Sequence, residues 1–121
     1  AGLTGHRPRY FSPHRGEWDE AVLQASRAEG HELVLWSLDT IDWKNPSAAW
    51  VETRIISRVK PGDIVLMHPT APTAEALAGM IQGVRAKGLA LVTLDTLLSP
   101  KRGPWDEGTG ELLGPSGGAQ R

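Results

Sequence analysis

Pro61-Gly62-Asp63-Ile64-Val65-Leu66-Met67-His68-Pro69-Thr70 sets a short apolar run between a Pro-Gly turn and a histidine stiffened by the proline behind it. Four consecutive apolar residues, from Ile64 to Met67, match a strand covered on both faces, as in a parallel sheet. Working back, Ser47 caps a helix whose Val51, Ile55 and Val59 form one stripe before Lys60-Pro61-Gly62 ends it. Working forward, a helix is predicted to begin near Thr73, after Pro72. It buries Leu77, Met80, Ile81 and Val84 and stops at Gly88. The same alternation extends to both sides. Arg9-Tyr10-Phe11-Ser12 reads as a strand closed by Pro13, residues 17–29 as a helix ended by Gly30, and Glu32–Ser37 as a second buried strand. Leu38–Pro46 reads as a loop, Leu89–Thr93 as a fourth strand, and Asp95–Leu98 as a short terminal turn.

The order β-α-β-α-β-α-β predicts an α/β fold of four parallel strands joined by right-handed crossover helices over residues 1–98. Residues 99–121 are rich in Gly and Pro and read as a tail held, if at all, by Trp105 and Leu112-Leu113. Composition narrows the function. The 121 residues carry 13 Lys+Arg against 14 Asp+Glu, a net charge of −1, which gives no electrostatic case for nucleic acid or an anionic membrane as partner. No apolar run has the length of a membrane span. The absence of cysteine excludes disulfides, thiolate metal sites and a cysteine nucleophile.

Polar residues gather after the predicted strands: Ser12 and His14, then Asp39 and Asp42, then His68 and Thr70. In parallel α/β folds those strand ends converge on one rim, where ligands and catalytic groups sit. His68, on a stiffened loop, suits a general acid. Asp39, ending the neighbouring strand, is placed to hydrogen-bond it, and a carboxylate favours the protonated form of an imidazole. Asp42 reads first as a turn or cap acceptor. Trp43 is either a lid over the core or a stacking wall for a ligand such as a sugar. His6, His14, His31 and His68 show no metal-ligand spacing.

Phe11-Ser12-Pro13-His14-Arg15-Gly16-Glu17-Trp18, Asp39-Thr40-Ile41-Asp42-Trp43 and Ile64-Val65-Leu66-Met67-His68-Pro69-Thr70 together resemble, in order and separation, three motifs of the polysaccharide deacetylases. These are the family 4 carbohydrate esterases with a NodB-homology domain, here most like their sporulation-associated branch. The resemblance covers roughly Leu3 to Leu98. It implies the C-terminal half of a distorted (β/α) barrel that removes N-acetyl groups from peptidoglycan or chitin-like sugars with one divalent metal, often zinc, at the cell surface or spore. Carried over, His68 would protonate the leaving amine and Asp39 would orient it. Leu66 would line the acetyl pocket with Trp43 as its wall, and the Arg15 backbone N–H would face an oxyanion.

Two departures bear on activity. Ser12 stands where the family has the arginine that braces the catalytic base. The first and second motifs, Thr-Phe-Asp-Asp-Gly and a His-x-x-x-His pair, are absent from this sequence. They hold the base and the protein's metal ligands in the family, so this chain alone is expected to bind no metal and to be inactive. A partner is expected on the open side of the half-barrel, either the missing half-domain or a second copy of the chain. The leading reading is part of a metal-dependent N-deacetylase. The alternative is an inactive deacetylase fold that binds glycan or a partner, and a flavodoxin-like nucleotide module ranks third because no Gly-rich phosphate loop follows its first strand.

Overall fold

A computed structural model describes residues 2–99 and the backbone of residues 105–106 and 111–112. The chain divides into two compact units, Ala1–Trp36 and Ser37–Arg121.

In the first unit, β1 (Tyr10–Phe11) pairs in parallel with β2 (Glu32–Leu33), Tyr10 opposite Glu32 and Phe11 opposite Leu33. Between them runs α1 (Glu20–Ala28), capped by Asp19, whose carboxylate accepts the Val22 N–H at 2.9 Å. Ahead of α1, His14–Gly16 forms a single 3-10 turn with Arg15 at φ 55° and Gly16 at φ 71°. Two constraints make residue 16 a glycine: its positive φ, and the ring of Trp36, which lies where a Cβ would stand.

The second unit carries the main core. β3 (Leu38–Asp39) pairs in parallel with β4 (Val65–Leu66), Leu38 opposite Val65 and Asp39 opposite Leu66. The connection is α2 (Ala48–Arg58), which Ser47 caps by accepting the Trp50 N–H at 3.2 Å. α3 (Ala71–Ala86) follows β4. Val51, Ile55 and Val59 from the α2 segment close on Ala76, Met80 and Val84 of α3, with Leu38 completing the buried cluster. The helices approach closely because Gly79 lies against Glu52 and Gly83 against Ile56. Lys87 ties the end of α2 to the end of α3, its Nζ donating to the Ile56 and Val59 carbonyls at 2.8 Å each. α4 (Leu94–Leu97) is a single turn capped by Thr93.

Several expectations are corrected. The apolar run Glu32–Ser37 does not form one strand. Pairing is confined to Glu32–Leu33 in the first unit, and the strand that pairs with β4 is Leu38–Asp39, read from sequence as loop. α3 starts at Ala71 rather than Thr73, with Pro72 inside its first turn, where a missing N–H costs nothing. Leu77 is exposed, and Ala76, on the helical stripe with Met80 and Val84, takes the buried place. Leu89–Thr93 is not a strand among the described residues: it meets no partner ladder, and Leu91 and Val92 stay 52% and 47% exposed. Beyond Ser99, β5 (Trp105–Asp106) and β6 (Glu111–Leu112) pair antiparallel, Trp105 opposite Leu112. Leu113 and the rest of the predicted tail lie outside the described residues.

Candidate functional site

The second unit builds its most polar cluster where β3 and β4 end. Past Asp39, the chain turns at Ile41, which takes a left-handed φ of 56°, and enters a 3-10 turn, Asp42–Lys44, that closes with Asn45 at φ 53°. This turn carries Asp42 into the interior, where its carboxylate is fully buried. β4 meanwhile delivers His68, two residues beyond Leu66, and Thr70 caps α3 so that Thr73 falls in its first turn, with the Thr70 hydroxyl accepting the Thr73 N–H.

The three segments meet on Asp42. Its Oδ1 lies 2.7 Å from His68 Nδ1, and its Oδ2 accepts the His68 backbone N–H at 2.6 Å and the Thr73 hydroxyl, also at 2.6 Å. Thr73, itself buried, receives a hydrogen bond from the Thr70 hydroxyl at 3.2 Å. Behind Asp42, its backbone N–H reaches the fully buried Thr40 hydroxyl at 3.4 Å. Burial by itself pushes the Asp42 carboxyl up. The hydrogen bonds from Thr73, from the His68 backbone and ring, and from Thr40 outweigh it and hold the pKa at about 2, below the ordinary 3.8. Asp42 is therefore ionised at neutral pH. A carboxylate can only accept, so Nδ1 of His68 carries a proton, and its other ring nitrogen, Nε2, has no protein partner among the described residues. The His68 side chain is 44% exposed, so that nitrogen is open to a ligand.

The sequence reading placed Asp39 on His68, and the structure places Asp42 there. Asp39 Oδ1 instead accepts the Ile41 N–H at 2.7 Å, Oδ2 lies 3.5 Å from Trp43 Nε1, and its carbonyl receives Arg54 Nε from α2 at 2.8 Å. Trp43 is 58% exposed, with Lys44 Nζ over its ring 5.0 Å from the centroid, and so is not a cover for the core. Leu66 is half-buried on β4. Ser12 and Arg15 belong to the first unit and are both exposed. Thr73 and Asp42 are the members of this cluster that the sequence reading passed over or took first as a turn acceptor. Their signal was the Thr-x-x-Thr spacing at a helix start and the second carboxylate of Asp-x-x-Asp-Trp.

No protein-family model matches the chain. Among curated proteins it is 38% identical over 98 residues to the uncharacterized protein YlxY of Bacillus subtilis, covering 81% of this chain and 31% of that protein. It is 30% identical over 105 residues to a peptidoglycan-N-acetylglucosamine deacetylase of Bacillus cereus, covering 83% and 38%. Among solved structures it superposes on BA3943 of Bacillus anthracis, described as a family 4 carbohydrate esterase pseudoenzyme, with a TM-score of 0.78 and 34% identity, over 81% of this chain and 35% of that one. The chain belongs to the polysaccharide deacetylases of carbohydrate esterase family 4. It matches the C-terminal part of the deacetylase domain and spans less than two fifths of the length of these relatives. The motifs Asp39–Trp43 and Ile64–Thr70 are the two that converge on Asp42. Among the described residues, no group of three or more His, Cys, Asp or Glu could hold a metal ion, so the divalent metal implied by the resemblance does not fit the described residues. No helix among the described residues is long and apolar enough to cross a membrane.

Proposed function

We propose that this chain supplies the proton-donating side of a polysaccharide N-deacetylase, acting on N-acetylated amino sugars of cell-wall or chitin-like polymers outside the cytoplasm. The observation that carries this reading is the His68–Asp42 pair. Breaking an amide C–N bond expels an amine, which leaves only if its nitrogen is protonated as the bond cleaves. In the working state His68 is an imidazolium. Nδ1–H stays on the ionised Asp42, and Nε2–H passes its proton to the leaving nitrogen as the C–N bond breaks, so that His68 ends neutral and Asp42 remains an anion throughout. Trp43, exposed beside the pair, provides a flat apolar face for a sugar ring, and Leu66 a surface for the acetyl methyl group. The base, the metal and the remaining strands of a distorted (β/α) barrel belong to the rest of the deacetylase domain. That part covers apolar residues this chain leaves exposed, among them Met67, Leu91 and Val92.

A second reading, glycan binding without hydrolysis, draws on Ser12, exposed where the family has an arginine, and on the likeness to a pseudoenzyme. Acetate release from N-acetylglucosamine oligomers by the protein in the longest form its gene encodes separates the two. Activity that falls by about 100-fold or more in His68→Ala, in the range for loss of a general acid, supports the acid role. Oligomer binding with no acetate release, unchanged in His68→Ala, refutes it and leaves the binding reading.

A further inference from the structure

We propose that Asp39 is a positioning residue for the His68–Asp42 pair: its carboxylate holds the left-handed turn at Ile41 that carries Asp42 onto the histidine and Trp43 to the surface. Ile41 is β-branched, and such residues avoid positive φ because Cβ crowds the following carbonyl. A side chain of this kind stays at φ 56° only where the surroundings enforce it. The enforcing contact is local. Asp39 Oδ1 takes the Ile41 N–H at 2.7 Å, across two residues, and closes the turn from the inside. Asp39 is itself fixed at both ends. Its backbone sits opposite Leu66 in the β3–β4 ladder, and its carbonyl is held by Arg54 Nε at 2.8 Å, which ties the turn to α2. Directly after Ile41 come the two residues that the site uses, Asp42 at 2.7 Å from His68 Nδ1 and Trp43 with its indole N–H turned to Asp39 Oδ2. A carboxylate that does not touch His68 thereby sets the positions of Asp42 and Trp43.

The proposal rests on the reading of His68 as an acid only for its consequence in turnover, and the experiment reads the geometry instead. In the full-length protein, the His68 Nδ1–H proton held by a buried carboxylate gives a resolved downfield resonance, and acrylamide quenching reports how open Trp43 is. Asp39→Ala is expected to abolish the resonance and change Trp43 quenching while the protein still melts cooperatively. Asp39→Asn, which keeps an oxygen for the Ile41 N–H, is expected to retain both signals. Asp39→Ala/Ile41→Gly is expected to regain the resonance, because glycine adopts the left-handed turn without a brace. If Asp39→Ala does not fold, the double variant decides: folding with the resonance present supports the proposal, and failure to fold overturns it. A resonance unchanged in folded Asp39→Ala, or one that Ile41→Gly does not restore, also overturns it, whether or not the protein proves to be an active deacetylase.

Discussion

Replacing Thr73 by valine tests whether the hydroxyl beneath Asp42 keeps that carboxylate charged. Valine keeps the branched shape at a position buried in the first turn of α3 and removes only the oxygen that donates to Asp42 Oδ2 at 2.6 Å. A hydrogen bond to a charged acceptor in the interior contributes about 1.5–3 kcal/mol. An independent route gives a similar scale. The step from 3.8 down to about 2, at about 1.4 kcal/mol per pH unit, makes the ionised Asp42 a stabilising term of about 2 kcal/mol, not discounted for solvent because the side chain is fully buried. Because the folded pKa is depressed, that contribution is complete above pH 3.8 and is lost as pH falls through about 2. Thr73→Val removes the strongest of the interactions opposing burial, so its carboxyl should titrate closer to the ordinary value. Urea unfolding is expected to show a destabilisation of about 1–2 kcal/mol at pH 7 that shrinks to about half near pH 2.5, where the wild type has begun to lose the same term. A destabilisation of equal size at both pH values would mean that the loss is one of packing, and the account of Asp42 as a carboxylate held by donors would be wrong.

Gly83→Ala is expected to cost about 1–3 kcal/mol in thermal unfolding, because a Cβ there meets the Ile56 side chain of α2; an unchanged melting temperature would refute the close approach. Lys87→Met strands the last carbonyls of α2 and is expected to lower the urea midpoint by the equivalent of about 1 kcal/mol, with amide exchange accelerated at residues 55–59 and not in α1. Light scattering on the 121-residue chain is expected to show self-association, since Met67, Leu91 and Val92 leave apolar surface in water. A dilute monomer that unfolds cooperatively would refute an open side that needs a cover.

The helices were legible where one short-range rule sufficed. Ser47 before an apolar stripe at 51, 55 and 59 specifies both the start and the buried face of α2, and the structure keeps both. α3 shows the limit of that rule. Its apolar residues lie on more than one face, and the interior takes the stripe of Ala76, Met80 and Val84 rather than Leu77. Strands are harder for a physical reason: their hydrogen bonds go to a partner distant in sequence. The hydrophobicity of residues 32–37 is that of a covered strand, yet which residues pair depends on Tyr10–Phe11 in one case and Val65–Leu66 in the other. Leu89–Val92 has the composition of a strand and lacks a partner ladder among the described residues, so composition alone overstated it.

The carboxylate on His68 lies three residues beyond Asp39, and the register explains why. Asp39 ends its strand, as expected, but it lies opposite Leu66, two residues short of His68. Continuing β3 straight would bring Ile41, not a carboxylate, level with the histidine. The chain leaves the extended path at Ile41 instead, and the left-handed turn swings Asp42 inward beneath the ring. A β-branched residue gives no sequence signal for that turn, because its intrinsic preference opposes it; the brace that enforces it, Asp39, is the residue the sequence marked as the partner of His68. The two aspartates of Asp-x-x-Asp-Trp therefore divide one task. The first fixes the backbone and the second meets the imidazole, and together they give a histidine with one nitrogen committed to a buried anion and the other open to a ligand. A ring held in this way has the geometry that proton donation requires.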